Sequence, residues 1–145
     1  MRILVIDDEP DVLMLCRVNL ELAGHEVVEA SSGEAGLQLA REVRPDLVVL
    51  DVMLPRRDGY QVLGDLSSES TLRDVPVILL TAKAQTADRL AGWRAGCAEF
   101  VTKPFSPSEL VEAVGRVHAM TVEERSEHRR SALARLGDGH EEPPG

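Results

Sequence analysis

Short apolar runs alternate with helical patterns along residues 1–120 of the chain. The third and fourth runs, DLVVL and VPVILL, contain almost no polar residue, which is typical of strands covered on both faces and hence of a parallel sheet. The pattern predicts strands over 2–6, 26–30, 46–50, 75–80 and 98–102. It predicts helices near 10–23, 33–43, 58–66, 86–95 and 106–119. This alternation predicts a doubly wound α/β domain, whose common strand order is 2-1-3-4-5.

Proline and glycine mark the predicted helix boundaries. Pro10 suits a first helical position, and Gly24 and Gly96 suit helix ends. After residue 120 the pattern changes: Thr121 and Glu124 have capping-box spacing, and Gly137 is a candidate helix end. We therefore expect a domain over 1–120 and a tail over 121–145, in which a short helix precedes a disordered end, DGHEEPPG.

Composition narrows the classes of function. The chain has 145 residues and a formal net charge of −9, which disfavours nucleic acid as a direct partner. No run approaches the ~18 apolar residues of a transmembrane helix, and no signal-peptide pattern is visible. Cys16 and Cys97 lack metal-site spacing, so we interpret both as small buried thiols in a reducing compartment. We expect a cytoplasmic protein without membrane contact.

Acidic residues follow two of the predicted strands. Asp7 and Asp8 end the first strand and Asp51 ends the third, and these strands are neighbours where the winding of such a sheet reverses. Two carboxylates about 4 Å apart repel by roughly 4 kcal/mol at an effective dielectric of 20. Either one carboxylate is protonated or a hard cation lies among them, and an all-oxygen site open to water suits Mg²⁺. Glu9 and Asp11 are interpreted as ordinary first-turn acids of the next helix.

A hydroxyl and an ammonium follow the other two strands at this edge. Thr81 ends the fourth strand and Lys103 ends the fifth. Together with carboxylates and a cation, these groups can hold a phosphoryl group by charge and hydrogen bonding. Only two of the sixteen basic residues are lysines, Lys83 and Lys103, which hints that a compact ammonium is needed here.

Four motifs in order, IDDEP, LVVLDVMLPRRDGYQVL, VILLTA and FVTKPF, make residues 1–120 similar to a bacterial two-component response-regulator receiver domain. The resemblance implies a flavodoxin-like sheet of order 2-1-3-4-5 with five helices. It implies that Asp51 is the phosphoacceptor and that Asp8 and Asp51 bind Mg²⁺, with Asp7 acting largely through water. It further implies the remaining site roles: the main-chain carbonyl of Met53 as a metal ligand, Thr81 as switch hydroxyl, Lys103 as phosphate-binding lysine and Phe100 as switch aromatic.

The resemblance also implies partners and a reaction. A histidine kinase or phosphotransfer protein would supply the phosphoryl group, and a downstream protein would respond to it. The chain would not be an enzyme, although it assists its own phosphorylation and dephosphorylation.

The resemblance further implies a cis Lys103–Pro104 peptide bond. Met53 and Lys83, two residues beyond Asp51 and Thr81, would lie at the rim of the site and tune how fast water removes the phosphoryl group. Phe100 stands where the family often has tyrosine, so only a packing switch is available.

Other interpretations remain open at this point. A flavodoxin-type electron carrier would need a phosphate loop after the first strand and more aromatic residues than 3%. A haloacid-dehalogenase-type phosphatase would carry a D-x-D arrangement, whereas Asp7 and Asp8 are adjacent. The chain is either a stand-alone receiver, which we favour, or a piece of a longer regulator with an output domain.

The first predicted helix has two apolar faces. Val12, Cys16, Leu20 and Ala23 form the expected core face, and Met14, Val18 and Leu22 lie opposite. The second stripe predicts either a lid formed by the tail or a homodimer through this helix, and we favour the homodimer because Arg129 interrupts the apolar face of the tail. Trp93 is interpreted as core, and the four histidines as surface residues.

Overall fold

Five parallel strands form one sheet of order β2-β1-β3-β4-β5 in the computed structural model, which describes residues 1–56, 58–82 and 86–141. The predicted fold class and strand order are confirmed. The strands are β1 Arg2–Ile6, β2 Glu26–Ala30, β3 Leu47–Asp51, β4 Val77–Thr81 and β5 Glu99–Thr102. The helices of the described residues are α1 Pro10–Leu22, α2 Gly33–Val43, α3 Gly59–Ser68, α4 Thr86–Ala95, α5 Pro107–Ala119 and α6 Val122–Glu141.

The sheet separates two apolar layers. Leu4, Ile6, Val48 and Leu50 pack with α2, α3 and α4 on one side, while the alternate residues Ile3, Val5, Leu47 and Val49 pack with α1 and α5 on the other. β3 and β4 are buried along their whole length, which explains their nearly continuous apolar sequences. Each fully buried Leu, Ile or Val contributes about 1.5–3 kcal/mol relative to exposure.

Three strands begin later than predicted, and β5 starts at Glu99 rather than at residue 98. β3 starts at Leu47 rather than residue 46, and β4 starts at Val77 rather than residue 75. Pro76 has no N–H to donate, and its carbonyl accepts a hydrogen bond from Val48 at 2.9 Å, so the ladder of β4 begins after it. As a result, Asp51 is the last residue of β3 and Thr81 the last of β4.

The predicted bounds of α4 are confirmed, and α1 begins at Pro10 as predicted but ends at Leu22, one residue before its predicted end. Gly24 and Gly96 follow α1 and α4 with φ of 95° and 103°, a backbone region that glycine adopts readily. Cys16 and Cys97 are buried free thiols, and burial raises the pKa of Cys16 to about 12. Ala23 lies beyond α1 and is exposed, so its predicted place on the core face is wrong.

The tail forms a longer helix than predicted. α6 runs to Glu141, so the predicted end at Gly137 is wrong: a glycine inside a helix costs about 1 kcal/mol relative to alanine, which does not by itself terminate it. Residues 142–145 of the expected disordered end lie outside the described residues. Among the residues that are described, no helix is both long and apolar enough to cross a membrane.

α6 packs against α4. Ala132 is buried in the core cluster that contains Trp93, and Leu133 and Leu136 pack against this cluster. The predicted alternative, in which the tail forms a lid over the apolar stripe of α1, is therefore wrong. The apolar residues of α6 pack instead with Trp93 of α4. His128 was predicted to be a plain surface residue, but its ring contacts Trp93 with centroids 5.4 Å apart.

Candidate functional site

Four carboxylates meet at the carboxyl edge of the sheet. Asp7, Asp8, Glu9 and Asp51 each have an oxygen within 4.8 Å of the oxygens of the others. This convergence follows from the sheet, because Ile6 of β1 pairs with Leu50 of β3 and the acidic residues come next in each strand. Asp7 and Asp51 are buried, while Asp8 and Glu9 are exposed.

Lys103 lies among these carboxylates. Its Nζ donates to Asp7 Oδ2 at 2.9 Å and to Glu9 Oε1 at 3.1 Å, and it lies 3.4 Å from Asp51 Oδ2. The predicted convergence of Asp7, Asp51 and Lys103 is present in the structure. Glu9 was predicted to be an ordinary first-turn acid of a helix, whereas it precedes α1 without a side-chain capping bond and pairs with Lys103 instead.

The pKa values of the site follow from burial and charge. Burial raises the pKa of Asp7, although the Glu9 N–H and the Lys103 ammonium partly offset this effect. Burial alone would lower the pKa of Lys103, but the hydrogen bond and charge of Asp7, followed by the charge of Asp51, raise it well above its usual range. Lys103 is therefore a cation at neutral pH, and its one ammonium is shared by Asp7, Glu9 and Asp51.

Backbone amides fix both buried carboxylates in the same way. The Glu9 N–H donates to Asp7 Oδ1 at 2.9 Å, and the Met53 N–H donates to Asp51 Oδ1 at 3.0 Å. In each case the amide lies two residues beyond the aspartate, as in an Asx turn. One oxygen of each carboxylate is thus held by the backbone, and the other faces Lys103.

Thr81 and Phe100 occupy the neighbouring part of the sheet. Thr81 is buried, and its carbonyl accepts a hydrogen bond from the Lys103 N–H at 2.7 Å. The Lys103–Pro104 peptide is cis, as the resemblance implied. Phe100 lies on β5 and contacts Trp93 of α4, with ring centroids 5.7 Å apart.

Of the two rim positions, one can be described. Met53 follows β3 with 56% of its side chain exposed, and its backbone begins the turn that holds Asp51 Oδ1. Lys83 lies outside the described residues. The four clustered carboxylates offer only oxygen ligands, and Asp8 and Glu9 are open to solvent, which fits a hard divalent cation such as Mg²⁺ better than a softer metal.

Comparison with known proteins agrees with this geometry. Residues 3–115 match the model of the response regulator receiver domain. The probable transcriptional regulator ycf27 of Porphyra purpurea is 47% identical over 109 residues, which are 75% of this chain and 44% of that protein. The DNA-binding regulator RpaA of Synechocystis is 42% identical over 113 residues, 78% of this chain and 47% of its own length.

Solved structures show the same architecture. A putative response regulator from Chloroflexus aurantiacus superposes with a TM-score of 0.78 at 34% identity, covering 82% of this chain and 98% of that one. The chemotaxis protein CheY4 of Vibrio cholerae has a TM-score of 0.77 at 27% identity, covering 80% and 97%. The chain spans less than half the length of the curated relatives named above. By its sequence match and its fold, the chain belongs to the family of response-regulator receiver domains.

Proposed function

We propose that Asp51 accepts a phosphoryl group from the phosphohistidine of a histidine kinase or phosphotransfer protein, and that the resulting acyl phosphate switches the binding of a downstream partner protein. The observation that supports this proposal most directly is the position of Lys103. Its ammonium lies 3.4 Å from Asp51 Oδ2 and is held there by Asp7 at 2.9 Å. A cation fixed beside a buried nucleophile is suited to receive a dianionic group.

In the proposed reaction, a carboxylate oxygen of Asp51 forms a bond to phosphorus while the P–N bond to the donor imidazole breaks. The imidazole leaves with the electron pair of that bond. Lys103 pairs with a phosphoryl oxygen, and the Thr81 hydroxyl donates to another. Water later hydrolyses the acyl phosphate and restores the carboxylate.

Magnesium is the proposed cofactor. Asp8 and Asp51 would hold it through carboxylate oxygens, Asp7 largely through water, and Met53 through its main-chain carbonyl. The bound ion would neutralise charge on the phosphoryl oxygens. The fit rests on the oxygens of the four clustered carboxylates, which lie within 4.8 Å of one another. Within the described part of the chain, three of these carboxylates, Asp7, Glu9 and Asp51, share the one ammonium of Lys103.

The proposal distinguishes an acceptor from an enzyme. We expect one stoichiometric phosphorylation and no turnover of a phosphatase substrate such as p-nitrophenyl phosphate. The relatives are named as transcriptional regulators, but this chain carries a net charge of −9, so we propose a protein rather than nucleic acid as its direct partner. We also propose a cytoplasmic location, with which the two free, buried thiols are compatible.

Acetyl phosphate and Mg²⁺ test the assignment of Asp51. Intact-mass analysis of the wild type should show one added phosphoryl group that hydroxylamine removes, as expected for an acyl phosphate. Asp51→Asn should take up none. Asp58→Asn is the matched control, because Asp58 caps α3 and asparagine caps helices equally well. Equal labelling of Asp51→Asn and the wild type would show that Asp51 is not the acceptor.

A further inference from the structure

α6 packs against α4, and it lines a cleft together with β5; α4 and β5 are called here the α4–β5 face. Ala132 is buried there, and Leu133 and Leu136 pack against the same cluster. These three residues share one side of α6, because positions three and four apart are neighbours on a helix. Over residues 122–131, α6 is mostly polar and its side chains are exposed or half-buried, so this short apolar patch supplies the main apolar contact between the middle of the helix and the domain.

Trp93 lies at the centre of the covered face. It is the only tryptophan of the chain and is 7% exposed. Its ring contacts Phe100 at a centroid distance of 5.7 Å and His128 of α6 at 5.4 Å, both edge to face. Trp93 therefore touches the proposed switch aromatic on one side and the docked helix on the other.

The contact between α6 and the α4–β5 face is incomplete. His128 Nε2 is buried without a hydrogen-bond partner among the described residues, which costs free energy only while α6 is docked. A cleft of about 290 Å³, lined by residues that include Trp93, Phe100 and Leu136, remains between the helix and the sheet. This cleft is partly open to solvent, so α6 buries less apolar surface over this part of its length than a closely packed helix would.

The first turn of α6 is anchored much better than its middle. The Thr121 N–H donates to Glu124 Oε1 at 2.9 Å, and the Glu124 N–H donates to Thr121 Oγ1 at 3.1 Å, which forms a capping box. The Arg125 guanidinium donates to the carbonyls of Met120 at 3.0 Å and Asp74 at 2.9 Å. Loss of the apolar contacts would therefore free the middle of α6 while its first turn stays attached.

A path of packed side chains leads from the candidate site to this contact. Phe100 pairs with Leu79 in the sheet, two residues before Thr81. A side chain on Gly92 of α4 would collide with the Phe100 ring, so this ring lies directly on the helix backbone. A displacement of Phe100 must therefore change its packing against α4 and against Trp93.

We propose that the α4–β5 face is a helix-binding surface whose occupant is α6, and that phosphorylation of Asp51 releases α6 and opens the face to a partner. The chemistry of the face fits an amphipathic helix with a short apolar patch spaced like Ala132, Leu133 and Leu136. This inference rests on the proposed function of Asp51 and Phe100.

The full-length chain, with and without acetyl phosphate and Mg²⁺, provides the test. Three quantities are measured on each sample: the intact mass, the emission maximum of Trp93, and amide hydrogen exchange over 126–136. Phosphorylation should shift the emission to longer wavelength and accelerate exchange in this segment by about tenfold, with little change at the anchored first turn.

Two variants test the docking without phosphorylation. Leu136→Asp should show the red-shifted emission and the faster exchange before acetyl phosphate is added. Ala134→Asp is the matched control, because it places the same charge on an exposed position of α6, and it should behave like the wild type. Leu133→Asp repeats the test at a second contact residue.

The outcomes separate the two proposals. A chain that gains one phosphoryl group on Asp51 while its emission and exchange stay constant overturns the release of α6 and leaves the proposed function intact. A chain that gains no phosphoryl group overturns both. Identical spectra for Leu136→Asp, Leu133→Asp and Ala134→Asp would overturn the docking itself.

Discussion

The ammonium of Lys103 lies 2.9 Å from Asp7 Oδ2 and 3.4 Å from Asp51 Oδ2. Both carboxylates are buried, so the repulsion between them is screened little by solvent. One lysine thus stabilises the fold at the edge of the sheet and supplies the positive charge that the proposed reaction needs.

Replacement of Lys103 by methionine should reduce both stability and phosphorylation. Loss of the cation leaves the buried Asp7 and Asp51 carboxylates unpaired, at a cost of about 3 kcal/mol in the free energy of unfolding. Urea denaturation should show this deficit, and Mg²⁺ should reduce it by binding the same carboxylates. Arg116→Met removes a pair between the exposed Arg116 and the partly buried Glu99 at 3.5 Å and should change the free energy of unfolding by less than about 0.5 kcal/mol. Equal losses in the two variants would contradict the role given to Lys103.

Magnesium should stabilise the wild-type chain. At a concentration one hundred times its dissociation constant, a ligand that binds only the folded state adds about 2.7 kcal/mol. Asp8→Asn should weaken this effect without disturbing the core, because Asp8 is exposed. Asp11→Asn, an acid of the first turn of α1 outside the cluster, should respond like the wild type. Thermal unfolding at several Mg²⁺ concentrations measures the stabilisation of the wild type and of both variants. If Mg²⁺ raises the melting temperature of Asp8→Asn as much as that of the wild type, Asp8 is not a magnesium ligand.

The acyl phosphate should be long-lived because Met53 cannot orient a water molecule. Met53→Asn introduces a polar group at an exposed position and should shorten the half-life by about tenfold, while Met53→Ala should not. Met14→Asn, which changes an exposed methionine of α1, is the control. The decay of intact mass after removal of acetyl phosphate gives the half-lives, and identical values in all variants would show that position 53 has no influence.

The apolar stripe on α1 should support self-association. Met14, Val18 and Leu22 are 66%, 48% and 81% exposed, as the helical pattern predicted, and such a stripe on a surface helix favours an interface. Val18→Glu should abolish dimers in sedimentation velocity, whereas Gln38→Glu adds the same charge on α2 and should keep them. A chain that ends at Met120 should also dimerise. Monomers throughout, at high concentration and after phosphorylation, would rule out the dimer.

The central site was predictable because strand ends are visible in the sequence. Apolar runs stop at Asp7, Asp51, Thr81 and Lys103, and a parallel sheet brings its carboxyl ends to one edge. Glu9 was not predicted to belong to the site, because an acidic residue just before Pro10 is also typical of the start of a helix. Its pairing with Lys103 depends on a contact between residues 94 positions apart, which local pattern does not reveal.

The tail was less predictable than the domain. α6 is mostly polar, and the helical interpretation rested on its capping box and a few apolar positions. The extent of α6 and its contact with α4 depend on a tertiary partner, Trp93, that lies 39 positions before Ala132. Tertiary packing commonly decides the extent and place of such a helix. His128 could not be assigned from sequence for the same reason.

Gly59 limits how the candidate site can vary. Its N–H donates to the Val52 carbonyl at 2.9 Å, and a Cβ at this position would overlap the Asp51 carbonyl oxygen and approach Val52 Cα. Even alanine would therefore push the start of α3 away from the end of β3, and with it the turn that begins at Met53. Gly59→Ala alters neither the charge of the site nor any proposed ligand, yet it would impair phosphorylation by moving the loop after Asp51. Variants at position 59 therefore change the geometry of the candidate site, although the residue itself belongs to α3.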